Sequence, residues 1–195
     1  MKIFIAITSL FLIVSNCQAD SQIKEEETPI VPANQYGTLN PDAPKETLQW
    51  GQLVGEWDCI SKDLDTRDEN NPKWYSNKAT WKWEYILGGH ALFNEWWQED
   101  ISPNPISKEY FAAGIFIFNP KTNLWEVVVM NSRPHQLSPK FQASYIDGRI
   151  EMHDGTGKWL VTFFDITKIS FEWKYEILGE RGEWEAISTI SAKRK

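Results

Sequence analysis

Three histidines and a few carboxylates are the residues of this chain whose types suit catalysis or metal binding. His90, His135 and His153 stand apart, in no H-x-H or H-x-x-x-H spacing, and no cysteine pair accompanies them. No G-x-S-x-G, S-x-x-K or P-loop pattern occurs either. We therefore predict no metal site and no cofactor, although one of these histidines would suffice as the axial ligand of a haem.

Carboxylates placed among aromatic residues provide an enzymatic alternative. Glu84, Glu95 and Glu126 occur in runs rich in Trp, Phe and Tyr, and paired carboxylates about 5–9.5 Å apart suit glycoside hydrolysis. On an alternating strand, however, a polar residue between aromatic ones usually faces solvent. We keep a cofactor-free hydrolase or isomerase, using Glu84 or Glu95 with a histidine, as the second hypothesis and assign no catalytic residue.

Aromatic residues are unusually frequent, with 11 Trp, 10 Phe and 6 Tyr among 195 residues. Such side chains favour strands and bury large areas, so they indicate a β-rich core. They either fill that core, line a ligand cavity, or form an exposed face that binds carbohydrate or the cell envelope. The net charge of -7 repels phosphate backbones, and the short basic tail 193–195 is the one basic run, so we expect no nucleic-acid partner.

The first 19 residues are typical of a signal peptide. Lys2 precedes the apolar run 3–14, which is too short to span a bilayer, and the sequence CQA then supplies small residues at the positions that signal peptidase inspects. We predict cleavage before Asp20, a secreted or periplasmic location and no transmembrane segment after processing. The residues VSNC, which end at Cys17, also resemble a lipoprotein lipobox, so a lipid anchor at Cys17 is the alternative.

Residues 20–46 are predicted to form a flexible tether. They carry acids and four prolines and hold too few apolar residues for a core. A short helical turn is expected at 47–52, before the first strand. Cys59 then remains as the free thiol of the domain, in a strand-like run beside an acid. Without a disulfide the domain depends on its core, and we interpret Cys59 as a buried structural residue.

From Leu53 onward the sequence consists of strands and turns. Gly88-Gly89 and Asp147-Gly148 are hairpin signals, and no helical period of useful length occurs. Evenly spaced hairpins predict an all-β domain over 47–195, a single antiparallel up-and-down barrel of about ten strands, with a sandwich as the alternative. The predicted strands are 53–62, 79–87, 91–98, 111–118, 124–131, 141–145, 149–153, 159–164, 169–178 and 184–193.

The residues LVGEW at 53–57 resemble the G-x-W signature of lipocalins and other calycin barrels. In those proteins the tryptophan closes one end of the barrel, and a basic residue from the last strand packs across it. The resemblance implies that Gly55, Trp57 and Arg194, or Lys193 in its place, form the closure here. The cation–π contact would contribute about 0.5–2 kcal/mol.

Two further motifs extend the resemblance. With YILGG at 85–89 and GIFIFNPxTxxW at 114–125, the G-x-W motif is similar to a bacterial secreted family of unknown function that is predicted to have lipocalin-like barrels. The similarity covers residues 47–195. That family has no established catalytic residues, so the resemblance implies a fold and leaves the function open.

A barrel of this size is wide enough to hold one small ligand. We therefore predict a non-enzymatic exported barrel that binds a small apolar or aromatic molecule. The alternative is that the same side chains only fill the core. The predicted wall residues are Trp83, Tyr85, Trp96, Phe116 and Tyr145, and Asn131 and Arg133 are predicted to orient a polar group of the ligand.

Overall fold

The computed structural model describes residues 37–68, 70–99, 109–132 and 136–195. The predicted signal peptide, Cys17 and the part of the predicted tether before Gly37 lie outside these residues, as do Arg133 and His135. The predictions made for them therefore remain predictions. Within the described part of the chain, no helix has the length and apolar character needed to cross a membrane.

One short helix and eleven antiparallel strands make up the described chain. The helix α1 spans Thr47–Gly51, and a single 3-10 turn spans Leu87–Gly89. The strands are β1 (Gly55–Asp65), β2 (Lys73–Ile86), β3 (Ala91–Gln98), β4 (Tyr110–Asn119), β5 (Leu124–Asn131), β6 (Gln136–Leu137), β7 (Phe141–Ile146), β8 (Arg149–His153), β9 (Trp159–Phe164), β10 (Ser170–Leu178) and β11 (Trp184–Arg194).

The strands form one closed sheet. Apart from β6, each strand pairs with the next one in sequence, so β5 lies between β4 and β7, and β11 pairs with β1. The two-residue β6 lies beside the end of β5, so ten longer strands form the wall. Across the closing seam, Trp57 of β1 is opposite Arg194 of β11. The predicted up-and-down barrel is confirmed, and the alternative of a sandwich is wrong because no sheet edge separates two layers.

The first hairpin is longer than its sequence pattern predicts. β1 continues to Asp65, and β2 begins at Lys73 rather than at Ala79. Residues 73–78 follow Asn-Asn-Pro and lack apolar alternation, which is why they resemble a loop. They are ordered as a strand by continuous pairing with β1, from Asp65 opposite Lys73 to Ile60 opposite Lys78. The residues at the end of β1 therefore belong to the barrel wall.

Helix α1 plugs one end of the barrel, which we call the helix end. Its Trp50 is fully buried. The centroid of the Trp50 ring lies 4.4 Å from that of Phe116 and 5.1 Å from that of Phe163. The rings of Trp83 and Trp125 are 5.3 and 5.9 Å away. This aromatic core fills the interior at the helix end, as many of the tryptophans were expected to do.

Part of the predicted tether also contacts the helix end. The backbone N–H of Asn40 donates to the carbonyl of Gly89 at 3.2 Å, and its side-chain amide donates to the carbonyl of Gly88 at 2.9 Å. A Cβ on Gly89 would lie 2.3 Å from the backbone of both Asn40 and Thr38. The Gly-Gly turn therefore needs glycine at Gly89 because another chain segment passes against it.

Candidate functional site

The G-x-W tryptophan and Arg194 meet at the helix end. The Cζ atom of Arg194 lies 4.0 Å from the centroid of the Trp57 ring. The guanidinium also donates to the carbonyls of Gln52, Val54 and Lys168, at 3.0, 2.6 and 2.6 Å. Burial lowers the pKa of Arg194. The guanidinium thus links the paired strands β1 and β11 to the residues that precede β1 and to the turn that precedes β10.

Gly55 accommodates the same contact. Its φ is +133°, a conformation that side chains rarely adopt, and a Cβ there would lie 2.3 Å from Nη1 of Arg194. Glycine at this position lets the guanidinium lie against the backbone. Gly55, Trp57 and Arg194 are therefore close together at the end of the barrel where the aromatic core fills the interior.

A cavity of about 310 Å³ occupies the other half of the interior. We call this half the far end, since it lies opposite α1, where β1 ends and β2 begins. Its volume is at the lower limit of ligand pockets, which span about 300–1,000 Å³. The residues that line it are Ser61, Asp63, Trp81, Asn94, Trp96, Gln98, Tyr110, Ala112, Ala113, Phe116, Val129, Asn131, Met152, Phe163, Trp173, Tyr175, Ser188 and Ile190.

Asp63 is the centre of a hydrogen-bond network on the cavity wall. The hydroxyl of Ser188 donates to Oδ1 at 2.7 Å, while the amide of Gln98 and the hydroxyl of Ser61 donate to Oδ2 at 3.2 and 3.3 Å. Trp96 Nε1 donates in turn to Oε1 of Gln98 at 3.2 Å. All these donors are neutral. The network therefore fixes the position of the carboxylate without neutralising its charge.

Other polar groups lie on the same wall. Tyr110 donates its hydroxyl hydrogen to Oδ1 of Asn131. Asn94 is only 7% exposed and makes no side-chain hydrogen bond within the described chain. Trp81 Nε1 is likewise buried without a partner there. Burial raises the pKa of Tyr175, so this phenol stays protonated at neutral pH. The cavity thus combines an aromatic wall with unsatisfied polar groups.

The structure places some of the predicted ligand contacts on this cavity and others elsewhere. Trp96, Phe116 and Asn131 line it. Phe116 forms its floor, because the same ring contacts Trp50 of the plug. Asn131 lies near the end of β5, where its side chain accepts the hydrogen bond from Tyr110. These three predicted residues therefore share one site.

The remaining predicted contacts do not line the cavity. Trp83 and Tyr85 are buried closer to the helix end, where Trp50 fills the space beside Trp83. Tyr145 is 40% exposed and borders a surface depression at the helix end. Arg133 is outside the described residues. Alternation along a strand indicates that Trp83 and Tyr85 face inward, but it does not give their depth in the barrel.

The polar side of the cavity went unrecognised in the sequence. Ser61 and Asp63 continue the inward alternation that begins at Trp57, and Asn94 and Gln98 alternate with Trp96. The predicted first strand ends at residue 62, so Asp63 lies just beyond it. Its spacing of two residues from Ser61 nevertheless continues the inward alternation, which places this carboxylate inside the barrel.

The carboxylates considered for catalysis lie outside the cavity. Glu84 pairs with Lys82 at 3.2 Å on the outer face, and Glu95 is exposed on β3. Glu126 is bonded to Asn119 and to Lys140, and these hydrogen bonds lower its pKa. None of the three carboxylates borders the far-end cavity. The geometry needed for the enzymatic alternative is thus missing for Glu84 and Glu95.

The histidines and the exposed tryptophans form no site in the described chain. No cluster of three His, Cys, Asp or Glu residues occurs there. Nδ1 of His153 accepts a hydrogen bond from the backbone N–H of Gly155 at 3.1 Å. Trp74 and Trp184 are about half exposed, on β2 and β11, and no ring contact joins them. These two rings give no support for a planar carbohydrate-binding row.

Comparison with known proteins identifies the fold. No family model and no curated protein matches the chain. Among solved structures, the chain is similar to the S-type phycobiliprotein lyase CPES from Guillardia theta, with a TM-score of 0.52 and 7% identity. The likeness covers 78% of this chain and 98% of the lyase. At this identity it shows the fold alone: the chain forms a lipocalin-like barrel, and membership of a bacterial secreted family remains a prediction.

Proposed function

We propose that this protein is an exported, non-enzymatic barrel that binds one small apolar or aromatic molecule in its far-end cavity. The observation that carries the proposal is the cavity of about 310 Å³. It has an aromatic wall and a few fixed polar groups, the combination typical of small-molecule sites.

The size of the cavity argues against incomplete packing. Protein interiors are packed about as densely as organic crystals, and an empty cavity costs stability in proportion to its volume. An engineered cavity of roughly 150 Å³ is already large enough to bind benzene. The space described here is about twice as large, so it suits a molecule of one or two rings.

The similar lyase supports the proposal only as an analogy of fold. Barrels of eight or more strands leave room for one small ligand, and the two chains share such a barrel. Folds of this kind serve many functions, so the activity of the lyase on its own substrates is not assigned to this chain. The proposal depends on the cavity.

Export is part of the proposal and rests on the sequence of residues 1–19. Processing before Asp20 would release the barrel into the periplasm or the medium, whereas acylation of Cys17 would anchor it to a membrane. The intact mass of the protein recovered from producing cells distinguishes the two, since lipidation adds acyl chains at Cys17. Retention of residues 1–19 would contradict both forms of processing.

Ligand binding is tested by filling the cavity. Ala112 lines it, whereas Ile115 lies on the outer face of the same strand, β4. We expect neutral one- and two-ring compounds, phenethyl alcohol and naphthalene among them, to quench the tryptophan fluorescence of the wild type saturably. Ala112→Phe should weaken this binding about tenfold or more, because the new ring occupies the ligand's space. Ile115→Phe should leave it within about twofold.

Thermal unfolding of both variants provides the control for folding. Two outcomes would contradict the proposal. In one, no compound of the panel binds saturably and native mass spectrometry finds no small molecule retained by the purified protein. In the other, the folded Ala112→Phe protein binds as tightly as the wild type, which places binding elsewhere.

A further inference from the structure

We infer that the far-end cavity selects a small aromatic molecule that carries a positively charged amino group, with Asp63 as its counter-ion. This inference rests on the proposed function and names the class of ligand. It depends on the charge, the rings and the hydrogen-bonding groups of the cavity wall, which are described in turn.

The charge of the cavity is unbalanced within the described chain. Asp63 is the one acidic residue among the described residues that line it, and these include no lysine, arginine or histidine. Its three partners, Ser61, Gln98 and Ser188, are neutral donors. A carboxylate offers about four acceptor sites, so one remains for a further donor. Asp63 is only partly buried, and a cation bound in the cavity would form a charge-assisted hydrogen bond with it.

The rings of the wall suit a cation as well as an aromatic group. Trp81 lies 5.0 Å from Trp96 and 6.4 Å from Trp173, with interplanar angles of 79° in both pairs. The rings of Trp96 and Trp173 each stand nearly at right angles to that of Trp81, so ring faces and ring edges both border the cavity. Cations are attracted to such faces, and tryptophan gives the strongest contact of this kind.

A second polar group of the wall lies away from Asp63, further along β3. Asn94 is buried, lines the cavity and has no side-chain hydrogen bond in the described chain, so its carbonyl oxygen is available as an acceptor. Asn94, Trp96 and Gln98 are successive inward residues of β3. Asn94 can therefore serve another part of a bound molecule, while the ammonium is left to Asp63 and the rings. The carboxylate and the ring faces together match a primary amine better than a neutral alcohol or a carboxylate.

A matched set of three ligands tests the inference. Phenethylamine, phenethyl alcohol and hydrocinnamate have similar shapes and carry a cation, no charge and an anion at neutral pH. In isothermal titration calorimetry with the full chain, we expect the amine to bind about tenfold or more tightly than the alcohol, as a charge-assisted hydrogen bond would give. Hydrocinnamate should bind more weakly than the alcohol because its carboxylate repels Asp63.

Substitution of Asp63 assigns the selectivity to this residue. Asp63→Asn should weaken the binding of phenethylamine about tenfold more than it weakens that of phenethyl alcohol. Thermal unfolding reports whether the variant is folded. Asp58→Asn is the matched control, because Asp58 lies on the same strand with its side chain 71% exposed on the outer face. It should change neither affinity.

The outcomes separate the inference from the proposed function. If the alcohol binds as tightly as the amine, or hydrocinnamate binds most tightly, the inference is overturned and the proposed function stands. The inference also fails if folded Asp63→Asn retains the full affinity for the amine. If the amine and every neutral compound of the fluorescence panel fail to bind the wild type, both fall. The comparison of the three ligands on the wild type does not depend on a variant, so it tests the inference even if Asp63→Asn is unfolded.

Discussion

Arg194 connects three backbone segments that are distant in sequence. Its guanidinium donates to the carbonyls of Gln52, Val54 and Lys168 while its Cζ lies over the ring of Trp57. Only a planar group with several fixed donors makes all these bonds at once. The sequence resemblance implied a contact between Arg194 and Trp57, but it contained no indication of the backbone bonds, since carbonyl groups have no sequence signature.

Replacing Arg194 tests the strength of this junction. We expect Arg194→Ala to lower the free energy of unfolding by about 2–4 kcal/mol, because charge-assisted hydrogen bonds and the ring contact are lost together. Arg194→Lys should recover less than half of the loss, since an ammonium cannot reproduce the fork. Urea unfolding measures both. Arg181→Ala is the control: Arg181 is 86% exposed, and its removal should cost less than about 0.5 kcal/mol. If Arg194→Ala lowers the free energy of unfolding no more than Arg181→Ala does, the stabilising role of Arg194 is contradicted.

Cys59 is buried in the seam strand β1, and burial raises its pKa from 9.0 to about 12. In a Cys17→Ser variant it is the remaining thiol of the chain. We expect native Cys59 to react with iodoacetamide about a thousandfold more slowly than a free thiol at mildly alkaline pH, because the thiolate is so scarce. Mass spectrometry follows the reaction, and the urea-unfolded protein is the control. Equal rates in the two states would contradict the burial.

The raised pKa of Cys59 makes the stability of the barrel depend on pH. Because folding raises its pKa, the unfolded chain releases this proton first. The contribution of the neutral thiol is therefore fully present below pH 9.0 and is lost as the pH rises toward about 12. The sequence correctly suggested a buried residue, since Cys59 lies in a strand-like run with an acid rather than a base beside it. The size of the shift depends on neighbours that only the fold supplies.

At the scale of elements, α1 depends on the barrel for its existence. Five residues are too few for a stable isolated helix, and no side chain caps its first turn. What holds it is Trp50, which packs between Phe116 and Phe163. The ring of Trp50 in turn completes the aromatic core that fills the helix end.

Truncating Trp50 should therefore destabilise the whole barrel. We expect Trp50→Ala to cost about 3–5 kcal/mol, as the removal of a buried aromatic ring usually does. Trp50→Phe should cost less than half as much, because Trp50 Nε1 has no partner to lose within the described chain. Leu48→Ala on the same helix is the control, since Leu48 is 57% exposed. Thermal and urea unfolding give the values, and similar losses for Trp50→Ala and Leu48→Ala would refute the plug.

Most elements could be predicted from the sequence because each pair of strands carries its own turn signal. Asp147-Gly148 joins β7 to β8, and both residues adopt positive φ there, at 50° and 82°. The start of β2 could not be predicted from the sequence, because residues 73–78 become a strand through pairing with β1 rather than through their own pattern. Neither could β6, whose two residues depend on β5 alone.

At the scale of the whole molecule, the position of the cavity was the least predictable feature. Alternation separates inward from outward residues only where it is regular, and in the aromatic run around Trp96 it leaves the two faces open, although Trp96 and Phe116 do line the cavity. It gives no coordinate along the barrel axis, and that coordinate decides whether an inward ring lines a cavity or lies in the core. Trp83 is one inward residue closer to the helix end than Trp81, and it packs against Trp50 while Trp81 borders open space.

The seam between the first and last strands of the barrel has a consequence for how the chain is made and moved. Val54 and Arg194, which are joined across it, are 140 residues apart. One edge of β1 therefore stays unpaired until nearly the whole domain has been synthesised. A polypeptide threaded through a membrane in order from its first residue would meet the same condition on the far side. For the exported protein that we propose, the barrel would therefore close only after residue 194 had reached that side.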